Sequence, residues 1–228
     1  MDIKLNLVLQ EPIDFQDIRI YQPVLQEITQ YGIEQYNTLL VPYSITSDML
    51  NIPEEYKDNI KIFDVVINDQ QVLQYLILSL QFFCKTDDIK VYKDVIIVNN
   101  GILHRDNFDE FADIILKINA REKPKKEKLP DNPKHREIEL KLRAARAKCK
   151  PKSEFNLCDI INNVRYGGKY YISLNEINQM TLWSLSNSFN AKIGLSNYDA
   201  CFSIALVAGD KDNKLEDNHW TKLLKIEN

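Results

Sequence analysis

Seven cations in one stretch, Lys123, Lys125, Lys126, Lys128, Arg136, Arg143 and Arg146, are the residues whose type and spacing point to a chemistry. Ammonium and guanidinium groups this close together can neutralise phosphates with strongly salt-dependent affinity, or meet a carboxylate-rich protein surface. The stretch 121–152 holds 13 Lys or Arg against 5 Asp or Glu, a charge of +8. The whole chain has 29 basic and 33 acidic residues, which leaves 16 basic and 28 acidic elsewhere, net −12. An acidic body with one basic arm attracts an anionic partner, another copy's body included. The arm carries no interleaved aromatics to stack bases and matches no nucleic-acid motif, so protein contact or plain solvation outweighs nucleic acid.

Other chemistry is not signalled. Neither GxGxxG nor GxxxxGK[ST] occurs, so no phosphate cradle is expected, and the Gly167-Gly168 pair reads as a loop. HExxH and GxSxG are absent too. His104, His135 and His219 are too scattered for a metal framework, and His135 with Glu139 reads as a surface pair on one helix face. Cys84, Cys149, Cys158 and Cys201 form no CxxC, and Cys84 and Cys201 sit in apolar runs as small core residues. No cofactor or metal is called for. The first ten residues lack the apolar stretch of a secretory signal and the longest apolar runs are short, so a soluble, intracellular chain with reduced thiols is expected.

The elements that must position these residues read mostly as helices. The alternation of Ile3, Leu5, Leu7 and Leu9 predicts a strand, with Asp17–Tyr21 close enough to pair with it. Val24, Leu25, Ile28 and Tyr31 predict a helix that stops at Gly32, and Ile33, Tyr36, Leu39 and Leu40 another that runs to Pro42. Helices are also expected over 54–66, over Val72–Phe83 behind an Asn68 or Asp69 cap, and from an Asp106 cap through Ile118. Lys90–Tyr92 and Val95–Val98 suggest a hairpin with turn residues Asn99-Asn100-Gly101. Three prolines mark 121–133 as a linker, and a helix with a thin apolar stripe (Ile138, Leu142, Ala145) runs from Pro133 to about Cys149. Ser153 is expected to cap Glu154–Tyr166, and Asn175 or Thr181 to start the next helices. Tyr198–Ala208 is apolar enough to predict a buried helix closed by Gly209, before an amphipathic tail with Trp220, Leu223 and Leu224. The sum is a mainly α chain with a small β-hairpin element and a basic Pro/Lys-rich linker. An α-rich lobe over 1–120, the linker 121–133 and a helical lobe 134–228 are expected.

Several stretches together resemble a family of proteins from phages and prophages of Gram-positive bacteria. They are Ile20-Tyr21-Gln22-Pro23-Val24-Leu25-Gln26-Glu27-Ile28, similar to an I-x-Q-P-T-x-x-E-I opening, then Tyr31–Tyr36 and Asn107–Phe111. The Lys-rich connector, Asp199-Ala200 through Gly209, and His219-Trp220 complete the pattern. Val24 stands where the family pattern has Thr. Members lie among tail and structural genes and look like tail-assembly chaperones or minor morphogenesis proteins. The resemblance implies a non-enzymatic protein-binding role, a phage tail protein as partner, and a place in the host cytoplasm or on the virion. It transfers no site residues. Aromatic residues suited to lining a groove are Tyr21, Tyr31, Tyr36, Phe82, Phe83 and Trp183, each also a natural core residue. The alternative is a nucleic-acid-binding accessory protein that uses 121–152, and self-association is open to either.

Overall fold

The computed structural model describes residues 3–50, 61–123, 156–167 and 171–210, with positions 132, 135, 136, 138, 139, 141, 142 and 145 between them. The chain is mainly α with small antiparallel β elements. The expected first strand is instead a helix, α1 (Ile3–Leu9), which turns Leu7 into the core and leaves Leu5, Val8 and Leu9 exposed. The partner of β2 (Ile18–Ile20) is β1 (Ile13–Phe15), paired Ile13 to Ile20 and Phe15 to Ile18. Gln16 and Asp17 both have positive φ in the two-residue turn between them, the geometry that matches strand twist. So short a closure outcompetes a longer one to residues 3–9, whose backbone groups then have to be satisfied within a helix.

Next come α2 (Leu25–Tyr31), α3 (Ile33–Leu39) and α4 (Val41–Ser44), then a single 3₁₀ turn at Ser47–Met49. Gly32, at φ +99, ends α2 and starts α3, as its place in the sequence suggests. Pro42 does not end the helical run. It sits in the first turn of α4, where its missing N–H has no intrahelical partner to lose. α5 (Ile62–Asn68) starts behind an extended Lys61 and so overlaps only the end of the helix expected over 54–66, and Tyr56 and Ile60 lie outside the described residues. The Asp69 carboxylate then accepts from the N–H groups of Gln71 and Val72 and caps α6 (Gln70–Cys84).

The predicted hairpin is a three-stranded meander of β3 (Ile89–Val91), β4 (Val95–Val98) and β5 (Gly101–His104). Gly101 belongs to β5, and Asn99, at φ +52, takes the turn with Asn100. The residue before α7 (Phe108–Ile118) is Asn107 and not Asp106. The Asn107 Oδ1 accepts from the His104 N–H at 2.8 Å, while its Nδ2 donates to Gln16 and to the Ile102 carbonyl. A buried amide with both ends occupied ties the two sheets to α7.

The first core is gathered on α7. Phe108 packs on Tyr43 and Phe63, and Phe111 on Phe15 and Tyr43. A second core joins Leu25 of α2 to Val164 of α8 (Leu157–Tyr166), Ile177 of α9 (Leu174–Asn178), and Leu185 and Phe189 of α10 (Leu182–Ala208). α8 starts at an Asn156 capping box, and Ser153 lies outside the described residues. Ser173 caps α9, Asn175 lies inside it, and Thr181 caps α10.

Candidate protein-binding site

Two of the seven basic residues fall among the described ones. The Lys123 ammonium lies 3.2 Å from an Asp109 carboxylate oxygen and 3.1 Å from Asp113 on the next turn of α7. Arg121 likewise donates to the Asn37 side chain at 2.6 Å. The root of the basic arm is thus fixed to the body by partners that sequence spacing does not reveal. Arg136 is exposed in a helical stretch, where Ile138 and Leu142 are exposed too. Lys125, Lys126, Lys128, Arg143 and Arg146 lie outside the described residues, as do Trp220, Leu223 and Leu224.

Of the six aromatics, Tyr21, Tyr31 and Phe82 line a cleft of about 470 Å³ with Pro23, Glu27 and Lys85. Tyr36 and Phe83 are buried behind it, and Trp183 packs against the first core. The Tyr31 and Phe82 rings are 5.0 Å apart, and the Lys85 ammonium lies 5.1 Å from the Tyr21 ring centre. That ammonium also meets Glu27 at 3.0 Å, while the other Glu27 oxygen accepts from the Val24 N–H. Val24 gives α2 no side-chain cap, and the Glu27 bond to its N–H is the only half of a capping box that can form there. The cleft's charges compensate one another, so what it offers a ligand is aromatic surface.

The largest departure from expectation is α10. It is one helix of 27 residues, about 40 Å long at 1.5 Å per residue. Its first half is anchored: Leu182 and Trp183 pack on the first core, and Leu185 and Phe189 are buried in the second. Lys192 marks the last turn against α8, and its ammonium donates to the carbonyls of Asn163 and Val164 at that helix's C-terminus. Burial there holds the Lys192 ammonium below the usual lysine range. Beyond Gly194 no residue of the helix is buried. The predicted buried segment Tyr198–Ala208 is instead mostly exposed, with Tyr198, Cys201 and Ala205 half-buried, because α8 ends at Tyr166 and no described element continues beside it. Ile204 is 65 % exposed, Leu206 73 % and Val207 91 %. Cys201, read as a core residue, lies half-buried on this segment, whereas Cys84 is in the core.

The protruding half carries two apolar stripes. Ile193, Ala200, Ile204 and Val207 continue the line of Leu182, Leu185 and Phe189 at heptad spacing. Leu195, Tyr198, Phe202 and Leu206 run along the opposite side, where the Tyr198 and Phe202 rings stack with centres 6.4 Å apart. Asp199 is the single charged residue from Leu195 to Ala208. Apolar stripes on opposite sides of an exposed helix call for cover, yet among the described residues no helix is long and apolar enough to cross a membrane. Nor do the described residues bring three or more His, Cys, Asp or Glu together as a metal site.

No protein-family model, no curated protein and no solved structure matches this chain.

Proposed function

We propose that this chain is a non-enzymatic, protein-binding component of phage morphogenesis, a tail-assembly chaperone or minor virion component. It holds an apolar segment of a phage structural protein on the Ile193–Ile204–Val207 stripe of α10. One observation carries the reading: an apolar stripe that is packed at Leu185 and Phe189 runs on, in line, for about four turns without cover. Contiguous exposed apolar surface of this kind marks an interaction site. The phage setting comes from the resemblance of Ile20–Ile28 and the other stretches. Exposed at the end of a rigid helix, the stripe suits an aggregation-prone partner, because the body keeps its own fold whether or not the partner is present.

The test is affinity purification of the tagged chain from phage-producing cells, with half of the lysate treated with nuclease. A tail or capsid protein should be retained in both halves and lost with Ile204→Asp/Val207→Asp, two exposed positions whose replacement leaves thermal stability nearly unchanged. Recovery of nucleic acid alone, abolished by nuclease or by Glu at Lys125, Lys126, Arg143 and Arg146, would overturn the proposal in favour of the basic arm.

A further inference from the structure

The aromatic cleft beside α2 is built of parts held from behind. The Phe82 ring in its wall lies 5.6 Å from Tyr36 and 5.4 Å from Phe83, edge-on to both, and Tyr36 and Phe83 are buried. Tyr31 meets Phe82 at 60°, so the pair presents ring faces in two planes. The Tyr21 N–H donates to the Phe83 carbonyl at 2.8 Å, which fixes the residue after β2 to the last turn of α6. The pair of Lys85 with Glu27 closes the same junction from α2. A site whose rings are fixed before a ligand arrives loses little freedom on binding. Its volume of about 470 Å³ lies within the range of about 300–1,000 Å³ that ligand sites occupy.

The polar groups around these rings divide into acceptors in use and donors that are free. Both Glu27 carboxylate oxygens are engaged, one by Lys85 and the other by the Val24 N–H. Among the described residues nothing accepts from the Tyr21 or Tyr31 hydroxyls or from the Gln30 amide, all three of which line the cleft. A cation would have to displace Lys85 from Glu27 and from the Tyr21 ring, and an anion would meet Glu27. The ligand that suits this set brings apolar rings for the aromatic faces and carbonyl oxygens for the donors, and makes little demand for acceptors. An extended proline-containing segment has that composition. Proline lacks a backbone N–H, and the polyproline II conformation leaves every carbonyl without an internal bond. Aromatic-lined grooves take such segments because little conformational freedom remains to be lost. We propose that the Tyr21–Tyr31–Phe82 cleft docks an extended, proline-containing segment of a partner protein. The site shares no residue with the α10 stripe, and the proposal does not rest on the reading of that helix.

The probe is a fluorescein-labelled oligoproline of about ten residues, which holds the polyproline II conformation, titrated with the full-length protein and read by fluorescence anisotropy. It should bind saturably, and a Gly/Ser peptide of the same length should not. Tyr31→Ala should weaken binding about tenfold, the scale of a truncated aromatic hot spot. Tyr31 is 39 % exposed, and circular dichroism checks that its variant stays folded. Gln30→Ala, at an exposed side chain, leaves the fold intact and should weaken binding about threefold through the lost donor. Lys85→Ala removes a charge but neither a ring nor a free donor, and should change the affinity less than either. Absence of binding, equal binding of the Gly/Ser peptide, or indifference to both Tyr31→Ala and Gln30→Ala would overturn the proposal. Loss of binding with Lys85→Ala alone would overturn it too, since charge and not aromatic surface would then recognise the ligand. So would a doubled mass in light scattering that oligoproline reverses, which would make a second copy the occupant.

Discussion

The backbone N–H of Leu25 donates to the Met180 carbonyl at 2.9 Å, and the neighbouring residues Val24 and Thr181 form an antiparallel bridge. This pair of contacts carries a residue of the N-terminal half into the core of the C-terminal helices, where the Leu25 side chain is 2 % exposed among Val164, Ile177, Leu185 and Phe189. The Thr181 N–H adds a bond to the Gln10 side chain. The base of α10 is thereby held to the body at a position set by α2.

Leu25→Ala should therefore weaken the second core out of proportion to its size. Removing a buried leucine side chain costs about 2–5 kcal/mol, and a core of few buried residues has little capacity to collapse around the gap. Hydrogen exchange should show faster opening of α8 and α9, with α7 left protected. Uniform loss of protection across both cores would instead show that they unfold as one unit.

Within the first core, the Ser79 hydroxyl donates to the Tyr43 hydroxyl at 2.9 Å with both side chains buried. Tyr43→Phe leaves the serine without its acceptor and should cost about 1–3 kcal/mol in denaturant unfolding. Ser79→Ala orphans the buried Tyr43 hydroxyl in turn and should cost a similar amount, and the double variant should cost less than the sum of the two, because no orphaned group then remains. Strict additivity would mean that the two hydroxyls do not stabilise one another.

Burial also sets the response to alkali. The Cys84 thiol is pushed up to about 12 by burial, and burial raises the Tyr43 and Tyr36 hydroxyls above the usual tyrosine range. The unfolded chain releases these protons near the ordinary values of about 8.5 and 10, while the folded chain keeps them. The unfolded state then binds fewer protons, so stability is whole below about pH 8.5 and falls as pH rises beyond it. The denaturant midpoint should drop between pH 7 and about 9.5 in the parent and drop less in Cys84→Ala. Alkylation of the native protein at neutral pH should modify the exposed Cys158 and spare Cys84, since the thiolate is the reactive form.

How far the sequence could be read depended on whether a residue's partners were local. α6 and α7 were legible because their apolar faces span several turns, and Asp69 caps α6 from its own sequence neighbourhood. The exchange of strand for helix at Ile3–Leu9 was not, since alternation there competes with a three-residue strand, Ile13–Phe15, too short to show a pattern. β5 was hidden by its leading glycine. The aromatics of the cleft were identifiable as types, but only packing brings Tyr21 beside Lys85 and Tyr31 beside Phe82. Lys123 gave no sign of Asp109 and Asp113, fourteen and ten positions upstream. The apolar composition of Tyr198–Ala208 argued for burial, and composition alone does not say whether the covering partner lies in the same chain.

Gly101 offers the sharpest test of how the two sheets meet. A Cβ at this position would lie 2.2 Å from Ile18 Cγ1 and 2.8 Å from the Gln16 carbonyl oxygen. The second contact is backbone in the β1–β2 turn, which is fixed by the positive φ of Gln16 and Asp17 and by the Asn107 bond to Gln16. Relief therefore requires the hairpin to move as a unit, and Gly101→Ala should cost about 1–3 kcal/mol or more, as overpacking of a filled site does. Gly209→Ala makes the contrast, because its Cβ meets nothing and the strain of a backbone at φ 78 and ψ 155, about 1–3 kcal/mol, is confined to the end of α10, where the chain can relax it. Thermal unfolding should show a clear fall in Tm for Gly101→Ala and almost none for Gly209→Ala. Equal shifts would mean that the close approach of Gly101 to Ile18 is not what joins the meander to the hairpin.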